Sequence, residues 1–286
     1  MLPPFTRRAW MAVSAVSMAS PLLRAAAPPL RIGITDWNLK LGANPDAVPL
    51  AARLGFDGVQ LSFGRKITDG KLPVDDPAIV ARYRALSTEN KIPIDGTCVD
   101  RLHSDGLKNG GPALRWVSDS IRLTHALGTQ VLLLPFFGVQ ALKTEAERNY
   151  VADALRDLAP DAEKAGVILG LENENSAEEN AHILDRAHSN SVKVYYDVGN
   201  STNIGGYDVV REIRWLGKDR ICQIHLKDKP VFLGQGKIQF EPILRAIHDI
   251  GFTGYANLET DSRPGSLEED MRTNLAYIRE LDAKVR

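Results

Sequence analysis

Between residues 30 and 260, short apolar runs rich in Val, Ile and Leu occur eight times, each separated from the next by a longer segment, several of them with apolar residues at helical spacing. Such a run satisfies its backbone by pairing in a sheet, and a helical spacer is the connection that joins one parallel strand to the next. The eight runs are 31–36, 58–62, 92–99, 130–134, 167–172, 192–197, 221–226 and 255–259. Helical spacing covers 77–89, 113–127, 145–164, 240–249 and 267–281. Gly55, Gly128, Gly166 and Gly251 stand just ahead of the following runs, where glycine closes a helix in the left-handed conformation. The pattern predicts an α/β fold, a single-domain (β/α)8 barrel over residues 28–286, and no Ser- or Gly-rich linker divides it.

The first 27 residues are of another kind. Thr6-Arg7-Arg8-Ala9-Trp10-Met11 leads into the small and apolar stretch 12–19, then Arg24 and Ala25-Ala26-Ala27. This resembles a twin-arginine export signal and implies a periplasmic or otherwise exported protein. The apolar stretch is well short of the roughly 20 residues needed to span a bilayer, so no stable membrane span is expected after export. Pro28 follows the Ala25-x-Ala27 pattern and leaves the cleavage position open. The balance of 35 Lys+Arg against 36 Asp+Glu gives a net charge of -1 without a basic block, which argues against nucleic acid as a partner. Cys98 and Cys222 lie in separate strand-like runs with no metal-type spacing and read as two buried thiols.

The last four runs end on polar residues: Glu172, Asp197, His225 and Glu259. In a closed barrel these ends converge on the face that carries active sites. A charge or imidazole closing an apolar strand is costly unless it is paired, solvated or metal-bound. One such residue alone is more often a helix cap, but four on successive strands point to a shared centre. Three carboxylates and one imidazole form a hard oxygen and nitrogen donor set for one divalent ion, with Mn²⁺ favoured and Mg²⁺, Co²⁺ or Zn²⁺ also suited. An ion in such a site can take the carbonyl and adjacent hydroxyl of a sugar and stabilise an enediolate. Glu172 and Glu259, arriving from different sides, would form the acid/base pair.

Gly170-Leu171-Glu172-Asn173, Tyr196-Asp197-Val198-Gly199-Asn200, His225-Leu226-Lys227-Asp228, Leu233-Gly234-Gln235-Gly236 and Asn257-Leu258-Glu259 resemble, in order and spacing, the xylose isomerase-like TIM barrels of the sugar phosphate isomerase/epimerase superfamily. The resemblance runs over nearly the whole mature chain. It implies that Glu172 and Glu259 are both metal ligands and the acid/base pair and that Asp197 and His225 complete the metal shell, while the reaction is left open, since members include sugar epimerases and isomerases, inosose dehydratases and apurinic endonucleases. Two positions depart from the pattern. Asn200 stands where many members carry a histidine, and Gln235 and Gln239 stand where acidic residues are common.

Further candidates for substrate contact are Lys227 and Arg263 after the last two strands, His103 after the third, Asn200, and an apolar wall from Trp37 and Phe136-Phe137. His125, His182, His188 and His248 fall in helical segments and are assigned no function. The leading expectation is a metal-dependent isomerase or epimerase of an unphosphorylated sugar, although the loop Gly234-Gln235-Gly236-Lys237 lies where many barrels bind phosphate. A keto-sugar dehydratase or lyase would share the enediolate step and differ in the leaving group. A metal-dependent hydrolase would need more histidines, and a non-catalytic sugar-binding barrel would not need both glutamates. The helix faces leave a homo-oligomer open.

Overall fold

The computed structural model describes residues 27–228 and 232–286, so the export signal read at residues 1–27 lies outside the described residues except for Ala27. The strands are β1 (Arg31–Thr35), β2 (Gly58–Ser62), β3 (Ile94–Cys98), β4 (Val131–Phe136), β5 (Ile168–Asn173), β6 (Val192–Asp197), β7 (Ile221–Leu226) and β8 (Tyr255–Leu258). They form one closed barrel in chain order. Every neighbouring pair is parallel, including the closing pair of β1 with β8. The helices are α1 (Ala47–Leu54), α2 (Pro77–Asn90), α3 (Pro112–Ala126), α4 (Glu145–Ala165), α5 (Ala177–Ala187), the single turn α6 (Val198–Asn200), α7 (Val209–Arg220), α8 (Phe240–Asp249) and α9 (Leu267–Val285).

Local chemistry sets these boundaries. Helices α4 and α5 open on capping boxes, Thr144 with Glu147 and Ser176 with Glu179, which satisfy end N–H groups that the helix leaves unpaired. Gly55 and Gly166 close α1 and α4 at φ of 92° and 67°, the left-handed region that disfavours a side chain. Two strands differ from the sequence reading by more than one residue at an end. β3 is the shorter, beginning at Ile94 after Pro93, and β4 runs two residues further to Phe136 because its ladder with β5 continues through Pro135 and Phe136. β8 ends at Leu258, but the Glu259 N–H still donates to the Leu226 carbonyl at 3.1 Å, so the ladder holds Glu259 in place.

The main apolar core lies between the sheet and the surrounding helices, where aliphatic residues such as Ile34, Val59, Leu132, Leu171 and Ile224 are buried. The barrel interior is different. Gln60, Asp95, Tyr195, Gln223 and Asn257 are buried polar side chains contributed by five strands, and a smaller cluster of Cys98, Val131, Leu133 and Tyr195 packs beside them. Many barrels fill this space with branched aliphatic residues. Here glycines make room for amides and a carboxylate. A Cβ at Gly33 would overlap the Asn257 and Asp95 side-chain oxygens, one at Gly58 would lie 2.5 Å from Asp95 Oδ2, and one at Gly96 would lie 2.9 Å from Gln223 Oε1. Both cysteines are free: Cys98 is buried as expected, while Cys222 is only partly so, since it borders a recess at the amino-terminal mouth.

Gly33→Ala therefore pushes a methyl group into a filled polar layer. We expect a loss of about 1 to 3 kcal/mol, the usual cost of overpacking, read by chemical denaturation. An unchanged midpoint and slope would show that the layer can give way.

Candidate active site

Glu172 on β5, Asp197 at the end of β6, His225 on β7 and Glu259 just past β8 come together at the carboxyl end of the barrel. One ligand atom from each lies within 4.8 Å of all the others. His225 Nδ1 stands 2.8 Å from Glu172 Oε1 and 3.9 Å from Glu259 Oε2. The Lys227 ammonium bridges Glu259 Oε2 at 2.5 Å and Asp197 Oδ2 at 3.2 Å. Trp37 Nε1 donates to Glu259 Oε1 at 3.2 Å, so the indole orients a carboxylate as well as walling the pocket.

Asp197 has two roles. Its Oδ1 accepts the N–H groups of Gly199 and Asn200 at 2.7 and 2.9 Å and caps α6, while Oδ2 faces the cluster. The helix-cap reading of a strand-end carboxylate thus holds for one oxygen, while the other faces the cluster. Gly199 belongs to the same arrangement, because a Cβ there would lie 2.8 to 2.9 Å from the Lys227 side chain and carbonyl.

The electrostatics are those of crowded acids. Burial first, then repulsion from Glu259, pushes Glu172 up to about 8. Burial raises Asp197 to about 7 against the opposing pull of Lys227. Burial opposes the charge on Lys227, yet Asp197, Glu259 and Glu172 together hold it well above the ordinary lysine value. With all three ionised, the carboxylates would outnumber the one ammonium and leave an excess of buried negative charge, which is why two of them tend to hold protons. A divalent cation relieves that excess, and the convergent oxygen and nitrogen donors are of the kind it takes. The four residues fit one divalent ion.

A cavity of about 320 Å³ opens above the cluster, within the usual range for small-molecule sites. Trp37, His103, Phe137, Asn200, Lys227, Glu172 and Glu259 border it, as do Ser62, Arg65, Asp100 and Glu174. His103 tilts against Phe137 with ring centroids 5.9 Å apart, and burial followed by the nearby Arg65 lowers its pKa to about 4, so it faces the pocket as a neutral imidazole. Two expectations are corrected. Phe136 is fully buried in the core under the helices, because alternation along β4 turns it away from the site. Arg263 does not border the cavity: its guanidinium and backbone N–H are bound to the Asp270 carboxylate. A larger recess of about 660 Å³ at the opposite mouth gathers no comparable donor set among the described residues.

The sequence reading missed Arg65, Asp100, Glu174 and Gln60. Arg65 and Glu174 sit in loops, and Asp100 opens the short 3-10 turn after β3, all without regular spacing. Gln60 had a visible signal, a polar residue in the middle of the apolar run Gly58-Val59-Gln60-Leu61, and its Oε1 lies 2.8 Å from His225 Nε2.

Residues 48–281 match the family described as Xylose isomerase-like TIM barrel, and the chain belongs to that family. Among curated proteins it is similar to a 2-epi-5-epi-valiolone 7-phosphate 2-epimerase of Actinoplanes sp., with 28% identity over 205 residues, covering 70% of this chain and 73% of the relative. Among solved structures, the Escherichia coli 3-keto-D-glucoside 4-epimerase superposes with a TM-score of 0.69 at 18% identity, covering 88% of this chain and 99% of that one. A D-allulose 3-epimerase from Methylomonas sp. gives 0.70 at 18% identity, covering 89% and 98%. At these identities the two structures show a shared fold.

The raised carboxylates predict an unusual pH response. Glu172 and Asp197 hold protons in the folded state at pH values where the unfolded chain, at 4.5 and 3.8, has released them. The stability this lends is full below the unfolded values and is lost as the pH rises through about 7 to 8. In chelator, Tm should therefore be higher at pH 6.5 than at pH 8. A Tm that rises over that interval would contradict the charge arrangement.

Proposed function

We propose that this protein is a divalent-metal-dependent epimerase or isomerase of an unphosphorylated sugar or sugar derivative. The observation that carries this reading is the convergence of Glu172, Asp197, His225 and Glu259, with both glutamates bordering the same cavity. These four residues would hold the ion, with Mn²⁺ favoured. The chemistry such an ion would supply is Lewis-acid polarisation of a substrate carbonyl and its neighbouring hydroxyl.

The chain's own residues do the rest. Glu172 and Glu259 reach the cavity from β5 and from beyond β8, three strands apart around the barrel, so their carboxylates address the substrate from different sides. One takes the proton from carbon beside the carbonyl and the other returns one, which inverts the centre or moves the carbonyl according to which atom is reprotonated. Trp37 and Lys227 fix the two oxygens of Glu259. Trp37 and Phe137 offer apolar surface to a sugar ring, and Asn200 and neutral His103 offer hydrogen bonds to hydroxyls.

The surroundings favour a substrate without phosphate. In the loop after β7, the Gly236 N–H donates to the Asp228 carboxylate, with N at 3.0 Å from Oδ2. An internal carboxylate thus occupies an amide that could have helped cradle a phosphate. Around the cavity, Asp100 and Glu174 add negative charge, and Arg65 is paired with Asp100 at 3.5 Å. The export signal read at residues 1–27 supports the same choice, since a protein placed outside the cytoplasm meets free sugars and glycosides, and we propose that location.

The test is deuterium uptake from D₂O into a panel of keto- and aldo-sugars with Mn²⁺ present. Exchange at carbon should fall by about 10² to 10⁴ in Glu259→Gln, and the product separates epimerase, isomerase and lyase. Exchange undiminished in the variant would remove Glu259 from the acid/base pair. Exchange confined to phosphorylated sugars would overturn the substrate class.

A further inference from the structure

The buried polar side chains inside the barrel form a continuous path that ends on a residue of the ligand cluster. Asp95 on β3 accepts hydrogen bonds from Asn257 Nδ2 at 3.0 Å and from Gln223 Nε2 at 3.4 Å, which fixes it as the acceptor of the network. That fixes the Asn257 amide, whose Nδ2 also donates to the Tyr195 hydroxyl at 3.1 Å. Having received that proton, the Tyr195 oxygen sends its own to Gln60 Oε1 at 3.0 Å. Gln60 must then present its oxygen toward His225, whose Nε2 lies 2.8 Å from the same Oε1. An amide oxygen accepts and cannot donate, so Nε2 carries the imidazole proton. The lone pair is left on Nδ1, the nitrogen that faces Glu172 and Glu259.

We propose that Asp95 is a positioning residue that sets the His225 tautomer through Asn257, Tyr195 and Gln60, so that Nδ1 is presented to a divalent ion. The sense of each step follows from the one before it: Asp95 accepts from Asn257, Asn257 donates to Tyr195, and Tyr195 donates to Gln60. An inverted Gln60 would set its N–H groups against the Asn257 Nδ2 donor, which lies 3.4 Å from Gln60 Oε1. An inverted Asn257 would set its oxygen against the Asp95 carboxylate. The space for this path is created by Gly33, Gly58 and Gly96, where a Cβ would meet Asp95, Asn257 or Gln223. A barrel that needed only packing at this level would fill those positions with aliphatic side chains. A partner that orients a metal-binding histidine through its other nitrogen commonly changes ion affinity by 10- to 100-fold when removed. Here that influence extends three residues beyond the contacting group.

The proposal rests on the reading of the four-residue cluster as a divalent-ion site, and the experiment separates the two. The ¹⁵N-histidine-labelled protein, freed of metal, is examined by NMR at pH 8, above the value of about 7 to which burial raises Asp95; Mn²⁺ affinity is measured in parallel. His225 should show a single tautomer with the proton on Nε2. Asp95→Leu should mix the tautomers and weaken Mn²⁺ binding by about 10- to 100-fold. Asp95→Asn, which can turn its amide oxygen to Asn257, should retain both. If Asp95→Leu does not fold, Gln60→Met removes the acceptor facing Nε2 and gives the same readout. An unchanged tautomer and unchanged affinity in a folded variant would overturn the relay. A wild-type protein that fails to bind Mn²⁺ would instead overturn the metal site itself.

Discussion

Closure of the sheet is the constraint on which the rest depends. Once β1 pairs with β8, no strand has a free edge, and the register of each strand is fixed by neighbours on both sides. The carboxyl ends of β5, β6, β7 and β8 then deliver Glu172, Asp197, His225 and Glu259 to one small volume, where three acids stand closer together than water would leave them. An open sheet could carry the same four residues without making them meet. The positions of the ligand atoms follow from backbone hydrogen bonding, and Glu259 illustrates this: its N–H is tied to Leu226 although it lies beyond the last residue of β8.

Such a cluster stores repulsion, and the neighbouring residues are arranged to contain it. Lys227 supplies one positive charge, Trp37 donates to one oxygen of Glu259, and the first turn after β6 takes one oxygen of Asp197. These contacts only partly offset the crowding and leave the carboxylates reluctant to ionise, the state that a divalent cation relieves. Below the cluster, glycines replace aliphatic filling so that amides and Asp95 can reach His225. The barrel gives up some interior packing for the orientation of one imidazole, a local departure of the kind expected where function competes with stability.

The alternation of strand and helix was legible because it follows backbone needs repeated eight times, and glycine caps such as Gly55 and Gly166 marked the joints. The four residues of the cluster were legible because each closes an apolar run with a group that run cannot bury alone. The pocket wall was less so. Phe136 and Phe137 are adjacent in sequence, yet strand alternation sends the first into the core and the second to the cavity. Arg263 follows its strand at a distance that suits substrate contact, but Asp270, seven residues on, holds it in place. Arg65 and Glu174 lie in loops and Asp100 opens a 3-10 turn, connections whose course depends on tertiary packing, where sequence spacing carries no positional information. The interior network was hidden for a related reason: Gln60, Asp95, Tyr195, Gln223 and Asn257 are scattered over five strands and become one network only when the barrel closes.

The central claim is that these four residues bind one divalent ion where the two glutamates can flank a substrate. An anomalous difference map from crystals grown with Mn²⁺ tests it most directly. The account predicts a single strong peak per chain, within bonding distance of Glu172, Asp197, His225 Nδ1 and Glu259, and its loss in Asp197→Asn. A map without a peak among these residues, or a peak bound elsewhere and indifferent to that substitution, would contradict it.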